Sequence, residues 1–537
     1  MKEENLVEEE RRSLSRSTGL VSFATALSRV TGLISFMVVF KALGFNRLQD
    51  SYNLANVMPN MIFELIAGGI LTSVLIPVYI SRRLEDESAG RRTANNIINI
   101  TFFFLSLMAL LGTVFSYDLV RIQTFLVPPS KVSVATANFF FKFFVWEIVF
   151  YGLTAVFNAI LQAHRRFTVP ALAPMFNNLV VIVTVVFFYL PLRNAQPELA
   201  LRNLALGTTL GIAAMALVQL PYLLKTGWRY AFVIDFSDPA FKRLALLALP
   251  VVAYVAANQI ALTVSNNLAW DFTGGMTAFK GGWQFFQLPY GLLAVSISTV
   301  LFPRLAERAA LKDLNGLKKT VALGVNSTAF IIIPASVGLF LLAVPISDLI
   351  YIGLLKSPNV NAEAARQIAG VMAYFMAGLL PFSLFMFLNR VFYALNDTKT
   401  PMWVNAAGVP LNIALDFGLV ALFGIAGLAM GHSLTYLVTM TLLFMALRRK
   451  IGKIDARAML RGTIKFTLIS GVMGVIIVLL ARWLGGWETT AVLRQIGIIA
   501  AATLFGGGFY ILANVAMKSE EVAFLTGVFK GRKNRGD

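Results

Sequence analysis

Apolar runs of about 20 residues or more, separated by short polar loops, recur from residue 19 to residue 516. They predict fourteen membrane-spanning helices, at 19–42, 53–81, 94–116, 137–162, 170–191, 201–224, 244–268, 281–303, 320–350, 368–394, 402–420, 425–447, 466–484 and 491–516. A helix of that length crosses the hydrocarbon core and satisfies its own backbone there, so the fold class is all-α and polytopic. The stretch ahead of the first run, 1–18, is rich in Glu and Arg and lacks the apolar heart of a signal peptide, so it reads as a cytosolic tail.

The loops carry an asymmetric charge. With the amino terminus inside, the inner loops hold 23 Lys and Arg and the outer loops 7. That bias places both termini in the cytoplasm, in agreement with the basic end Lys530 to Arg535. It also accounts for the net charge of +19, which on a soluble chain would point to nucleic acid; here no nucleic-acid partner is expected. Composition agrees with a membrane chain: 57% of residues are hydrophobic and 14% charged, with a mean hydropathy of +0.73. There is no cysteine, which excludes disulfides and thiol chemistry, and two histidines, His164 and His432, cannot build a conventional zinc site.

The chain repeats. Thr72-Ser73-Val74-Leu75-Ile76-Pro77 is matched 226 residues further on by Ser298-Thr299-Val300-Leu301-Phe302-Pro303, and Asn158 to Pro170 is matched 231 residues on by Asn389 to Pro401. Two copies of six spans, 19–224 and 225–447, form two pseudo-symmetric lobes. The last two spans, 448–516, are an addition, and 517–537 is a second cytosolic tail. Pro59, Gly68, Gly69 and Pro77 in one copy, with Pro289, Gly291 and Pro303 in the other, sit at matching places and read as hinges.

Chemistry enters through polar residues at membrane depth. The run Ser28-Arg29-Val30-Thr31-Gly32 puts a guanidinium mid-span, where charge is costly unless it lines a wet pathway or meets a partner. Five donors in a rigid fork suit phosphate oxygens; pairing with Glu64 or Asp50 is the alternative. The following helix pair adds Asn53, Asn56 and Glu64. Lys142 and Glu147 read as a gate or cavity pair, or as a snorkelling lysine beside a deeper carboxylate. Asn412 and Asp416, four apart on one helix face, suit a hard cation such as sodium, with Ser265 or Asn266 as a third ligand, or else a polar clamp between helices. Phosphate loops, nucleophile elbows and carboxylate pairs are all missing from the sequence, so a transporter is expected rather than an enzyme.

Ser28-Arg29-Val30-Thr31-Gly32, Pro59-Asn60, Gln287-Leu288-Pro289-Tyr290-Gly291, Phe302-Pro303-Arg304-Leu305 and Phe392 to Pro401 together resemble the MurJ (MviN) lipid II flippase family. Its superfamily includes the MATE exporters. The resemblance covers roughly 14–516 and rests on the order and spacing of these motifs. It implies two lobes about a cationic cavity, with the last two spans forming a groove for a polyprenyl tail. It also implies movement driven by membrane potential or sodium, with no other cofactor. The family's further cavity arginines are replaced here by Ser35 and Phe36, by Phe63 and Glu64, and by Gln284.

The leading expectation is a flippase that carries lipid-linked peptidoglycan precursor across the bacterial plasma membrane. Arg29 would grip pyrophosphate, with Asn53, Asn56 and Gln284 on the head group, and Lys41, Lys142, Lys280 or Arg390 making up the lost charge. Asp50 joins Lys142 and Glu147 as a gating position. Membrane lipids are expected partners, as are other cell-wall synthesis or division proteins. A MATE-like exporter of amphiphiles and a non-transporting scaffold are the other readings.

Overall fold

The computed structural model describes residues 2–67, 75–128, 134–238, 255–256, 258–356, 360–487, 491–519 and 521–522, and only the backbone of 2–19, 22, 66–67 and 77–78. The described residues are mostly helical and include no strand. In order come α1 (Lys2–Leu43), α2 (Arg47–Ala67), α3 (Leu75–Glu85), α4 (Glu87–Val114), α5 (Val134–Phe144), α6 (Glu147–Ala163), α7 (Thr168–Val183) and α8 (Pro197–Leu217). After α9 over 258–270 follow α10 (Gly275–Pro289), α11 (Val295–Ala310), α12 (Leu314–Leu341), α13 (Ala362–Ala377), α14 (Leu379–Ala394), α15 (Lys399–Phe423), α16 (Ala426–Ile451), α17 (Ala456–Trp483) and α18 (Val492–Ala516).

Among the described residues eleven helices are long and apolar enough to cross a membrane, or twelve when α13 and α14, bent by 45°, count as one span. Of the fourteen expected spans, eleven to twelve are met among the described residues. The expected spans at 53–81 and 244–268 include 68–74 and 244–254, outside the described residues, as are Gly68 and Gly69. From Lys2 on, the expected tail continues without a break into the first span as α1.

The chain forms two compact units, Met1–Thr277 and Ala278–Asp537. In the first, α1 lies along α7. The Asn178 amide donates to the Ser28 carbonyl (3.2 Å) and to Thr31 Oγ1 (3.0 Å). Gly32 admits that side chain, which a Cβ there would already touch at 3.5 Å. Tyr52 stands edge-on to Phe140 and Phe144, both centroids at 5.5 Å. α9 is also held in this unit: Gln123 Nε2 donates to Thr263 Oγ1 (3.1 Å) and the Leu126 N–H to Asn267 Oδ1 (2.9 Å). Those ties hold α9 within the first unit, which ends at Thr277.

In the second unit α12 packs on α17 and α15 on α16, around Leu301, Leu317, Val321, Phe387 and Phe392, none more than 1% exposed. α10 ends at Pro289, whose ring removes a backbone donor. The chain widens there, the Val295 N–H reaching back five residues to the Tyr290 carbonyl, before α11 resumes. The matching break in α13–α14 falls at Gly378, where a Cβ would strike Ser433.

Candidate functional site: a polar wall in the first unit and an apolar pocket in the second

The wall begins at the amino end of α2. Asp50 is fully buried and accepts from the Gly274 N–H (2.8 Å), the Thr277 N–H (3.1 Å) and Thr277 Oγ1 (2.8 Å). It therefore caps the start of α10, where unpaired N–H groups and the helix dipole both favour an anion. Arg47, one turn earlier, donates Nη1 to the carbonyls of Trp270 (2.5 Å) and Phe272 (3.2 Å). Asn53 joins the knot: its Nδ2 donates to Thr277 Oγ1 (3.1 Å) and its Oδ1 accepts from Gln49 (3.5 Å). Asn53 is also fully buried, so in this conformation its amide presents no face to a head group. Arg47 and Thr277 were not picked out from sequence. Arg47 reads there as an ordinary loop cation, and Thr277 lies in a polar turn with no motif.

Arg29 lies exposed on α1. Both carboxylates offered as structural partners for it are committed elsewhere. Asp50 caps α10, and Glu64 accepts from Asn60 Nδ2 (3.0 Å) and Gln259 Nε2 (2.9 Å). Arg29 makes no hydrogen bond or ion pair with another described residue. Lys41 is exposed and Asn56 half-buried on the same helix pair. Lys142 is exposed in the last turn of α5, whereas Glu147, beyond the break at Val145 and Trp146, is fully buried.

In the second unit Lys280 and Gln284 are half-buried on α10. Arg390 donates Nη1 to Thr299 Oγ1 (3.0 Å), joining α14 to the repeated Ser298–Pro303 motif on α11. Asp416 is 1% exposed and accepts from Asn412 Nδ2 (3.3 Å). It packs so tightly on α16 that a Cβ at Gly431 would strike its Oδ1. Ser265 belongs to the first unit and donates its hydroxyl to the Ala261 carbonyl (3.1 Å). Among the described residues no three His, Cys, Asp or Glu gather as a metal site. The three side-chain oxygens of Asp416 and Asn412, from one helix, fall short of the six or so that a hard cation takes, so backbone or water would have to supply the rest.

Two features of this unit went unread in sequence. His432 sits among Trp283, Phe286, Phe375, Phe382 and Tyr436, with ring centroids 4.6–5.9 Å away. These aromatics lie on four helices, a convergence that no local pattern announces. The second feature is an apolar pocket of about 780 Å³, lined among others by Val337, Phe340, Leu380, Leu437, Gly471 and Val478. It lies between α17 and the helices α12, α13, α14 and α16, where the α13–α14 bend opens space.

A helical bundle with an exposed cation on α1, a buried polar knot at α2, an apolar pocket and a two-copy repeat belongs to the class of two-lobed membrane transporters. Comparison with solved structures agrees on the fold. A chain described as "Lipid II flippase MurJ, inward closed conformation" matches with a TM-score of 0.74 at 21% identity, over 92% of this chain and 99% of that one. An inward-facing MATE-family multidrug resistance transporter matches at a TM-score of 0.64 and 15% identity, over 79% and 98%. The family is given by sequence: the model of "Lipid II flippase MurJ" matches residues 39–497. The chain belongs to that family. Its relatives include the probable lipid II flippase MurJ of Vibrio cholerae, 26% identical over 95% of this chain and 98% of that protein. That of Thermotoga maritima is 27% identical over 90% and 93%.

Proposed function

We propose that the protein moves a lipid-linked peptidoglycan precursor from the inner to the outer leaflet of the bacterial plasma membrane, with both termini in the cytoplasm. The match to the flippase family across 39–497 carries this reading, and three parts of the structure support it. Arg29 is exposed while its would-be partners are engaged elsewhere, which leaves its fork open to a pyrophosphate. The pocket beside α17 has the lining that an isoprenoid chain needs. The knot of Arg47, Asp50, Asn53 and Thr277 would give the amino end of α2 a fixed polar anchor within the first unit.

Asn56, Gln284 and Lys280 would line the head-group path, Lys142 and Glu147 would serve as cavity groups, and Arg390 would hold the α11–α14 contact. Sodium, when bound, would be held by Asp416 with Asn412 and would neutralise a buried carboxylate. Membrane potential or sodium would drive the movement, and no covalent step is proposed. The test is a strain depleted of other precursor flippases. Arg29→Ala, expressed at the normal level, is expected to lose complementation and to lower the outer-leaflet precursor at least tenfold, the effect of losing about 1.4 kcal/mol or more of pyrophosphate attraction. Full complementation by that variant would overturn Arg29 as the phosphate grip. Precursor reaching the outer leaflet at the normal rate without this protein would overturn the flippase reading itself.

A further inference from the structure

Residues 229–236, which follow the sixth expected span, run without helix or strand along the inner end of α4. Three buried asparagines of α4 hold this segment by its backbone. Asn95 Nδ2 donates to the Arg229 carbonyl (2.9 Å), and Asn99 Nδ2 donates to those of Ala231 (3.1 Å) and Val233 (3.0 Å). Asn96 Nδ2 donates to the Asp235 carbonyl (2.9 Å) while its Oδ1 accepts the Asp235 N–H (2.7 Å). The contacts start at Asn95, climb to Asn99 and return to Asn96. At a rise of about 1.5 Å per residue, the tip of this loop stands roughly 6 Å deeper along α4 than its two ends.

The larger side chains of the segment are exposed: Phe232 66%, Ile234 40% and Phe236 62%, while Tyr230, 60% exposed, turns its hydroxyl back to donate to Asn99 Oδ1 (3.0 Å). At the tip, Phe232 meets Phe103 edge-on at 6.0 Å, and there the exposed face of α4 begins with Phe102, Phe103 and Phe104. At the base the chemistry changes to charge. Asp235 lies 3.7 Å from Arg92, Asp238 lies 3.9 Å from Arg82, and Arg229 is exposed.

We propose that 229–236 is a wedge inserted into the inner leaflet, with Phe232 among the upper acyl carbons and Arg229 and Arg92 at the phosphates of anionic phospholipids. Two independent observations meet here. Four aromatic or aliphatic side chains in eight residues would be a poor surface in water, yet they continue the lipid-facing side of α4. Irregular backbone is tolerated at membrane depth only where protein satisfies its polar groups, and the asparagine ladder does this for four carbonyls and one N–H. In water the same groups would be hydrated and the ladder would have little to add. The wedge would thereby fix the depth of the first unit at its inner end, whatever the chain transports.

The absence of cysteine allows a direct test. Phe232→Cys and Ser237→Cys, each spin-labelled in the full-length protein, are placed in nanodiscs of phosphatidylcholine with phosphatidylglycerol. At residue 232 dissolved oxygen is expected to relax the label more than a water-soluble nickel chelate does, with the opposite order at 237. A water-like pattern at 232 would overturn the insertion, and Phe236→Cys provides a second reading should the first variant fold poorly. Asn99→Leu is expected to shift the label at 232 toward nickel accessibility; an unchanged value would overturn the role of the ladder. Equal depth in pure phosphatidylcholine would overturn the preference for anionic lipid.

Discussion

At Arg165 in the first repeat and Asn396 in the second, the backbone makes the same turn with opposite chemistry beside it. Both residues take the left-handed conformation, with φ of 58° and 56°, just past the end of α6 and of α14. The next residue then ties the turn to the last helical segment of its own copy. Arg166 donates Nη1 and Nη2 to the carbonyls of Tyr222 and Lys225, both at 3.2 Å. Asp397, in the equivalent place, accepts from Lys450 Nζ at 2.5 Å and from Thr400 Oγ1 at 2.8 Å. The repeat thus constrains the path of the chain and the place where a loop meets its helix, and it leaves the sign of the charge free. The same freedom separates the units at large: the first is knit around Asp50 and Thr277 by buried polar groups, the second around His432 by a cluster of aromatic rings.

The strongest way to break that contrast is to remove the polar knot. Asp50→Ala would orphan two buried N–H groups and a hydroxyl, and it should destabilise the first unit by about 3 kcal/mol, given the usual cost of stranding buried donors. Asp50→Asn keeps one acceptor oxygen and should cost about half as much. Thermal unfolding in detergent, followed by hydrogen exchange at 270–280, reads both. A change within about 0.5 kcal/mol for the alanine variant would mean that the knot is incidental and that the first unit, like the second, rests on apolar packing.

How much of this was legible beforehand depends on whether a feature is local. Span positions follow from apolar runs, and the two turns were visible as His164–Pro170 over Asn396–Pro401, because short polar loops before a proline leave a linear trace. Arg29 stood out for the same reason, as one charge in an apolar run. The knot was half visible: Asp50 and Asn53 were noticed, but Thr277, more than two hundred residues away, could not be paired with them from spacing. The unit boundary was hidden likewise, since nothing in the composition of α9 says which neighbours it will hydrogen-bond. The ladder left a fainter mark, Asn95, Asn96 and Asn99 at the start of an apolar span, which reads as a frayed boundary until the segment they hold is seen.

Acidification should separate the two turns. Burial pushes the His164 imidazole below its ordinary 6.5, Arg83 and Arg166 add to the effect, and Nε2 sits 3.0 Å from the Tyr79 hydroxyl. A lowered histidine favours the neutral form in the fold, so this contribution is full above about pH 6.5 and lost as pH falls below it. Asp397 behaves otherwise. Burial pulls its carboxyl upward, but Lys450 and Thr400 outweigh that and hold it at about 2, against an ordinary 3.8. Its contribution is full above about pH 4 and lost as pH falls toward 2. Hydrogen exchange should therefore show 164–168 loosening between pH 7 and 5.5 while 395–400 stays closed. Simultaneous loosening would mean that the turns share one opening event and that their local chemistry decides nothing.

The smallest effect sharpens the comparison most, because it separates backbone from side chain. Asparagine tolerates the left-handed region better than arginine, so the second repeat carries the better residue for a conformation that both adopt. Asn396→Arg should then cost about 0.5–1 kcal/mol. Arg165→Asn should gain somewhat less than that, because the arginine's own interaction is lost with it. Both shifts are readable as changes of a few degrees or less in unfolding temperature in detergent. If the signs come out as stated, the left-handed turn is the shared element and the charges around it are local fittings. If Arg165→Asn destabilises instead, the first repeat holds its turn through that side chain, and the two copies differ in mechanism as well as in charge.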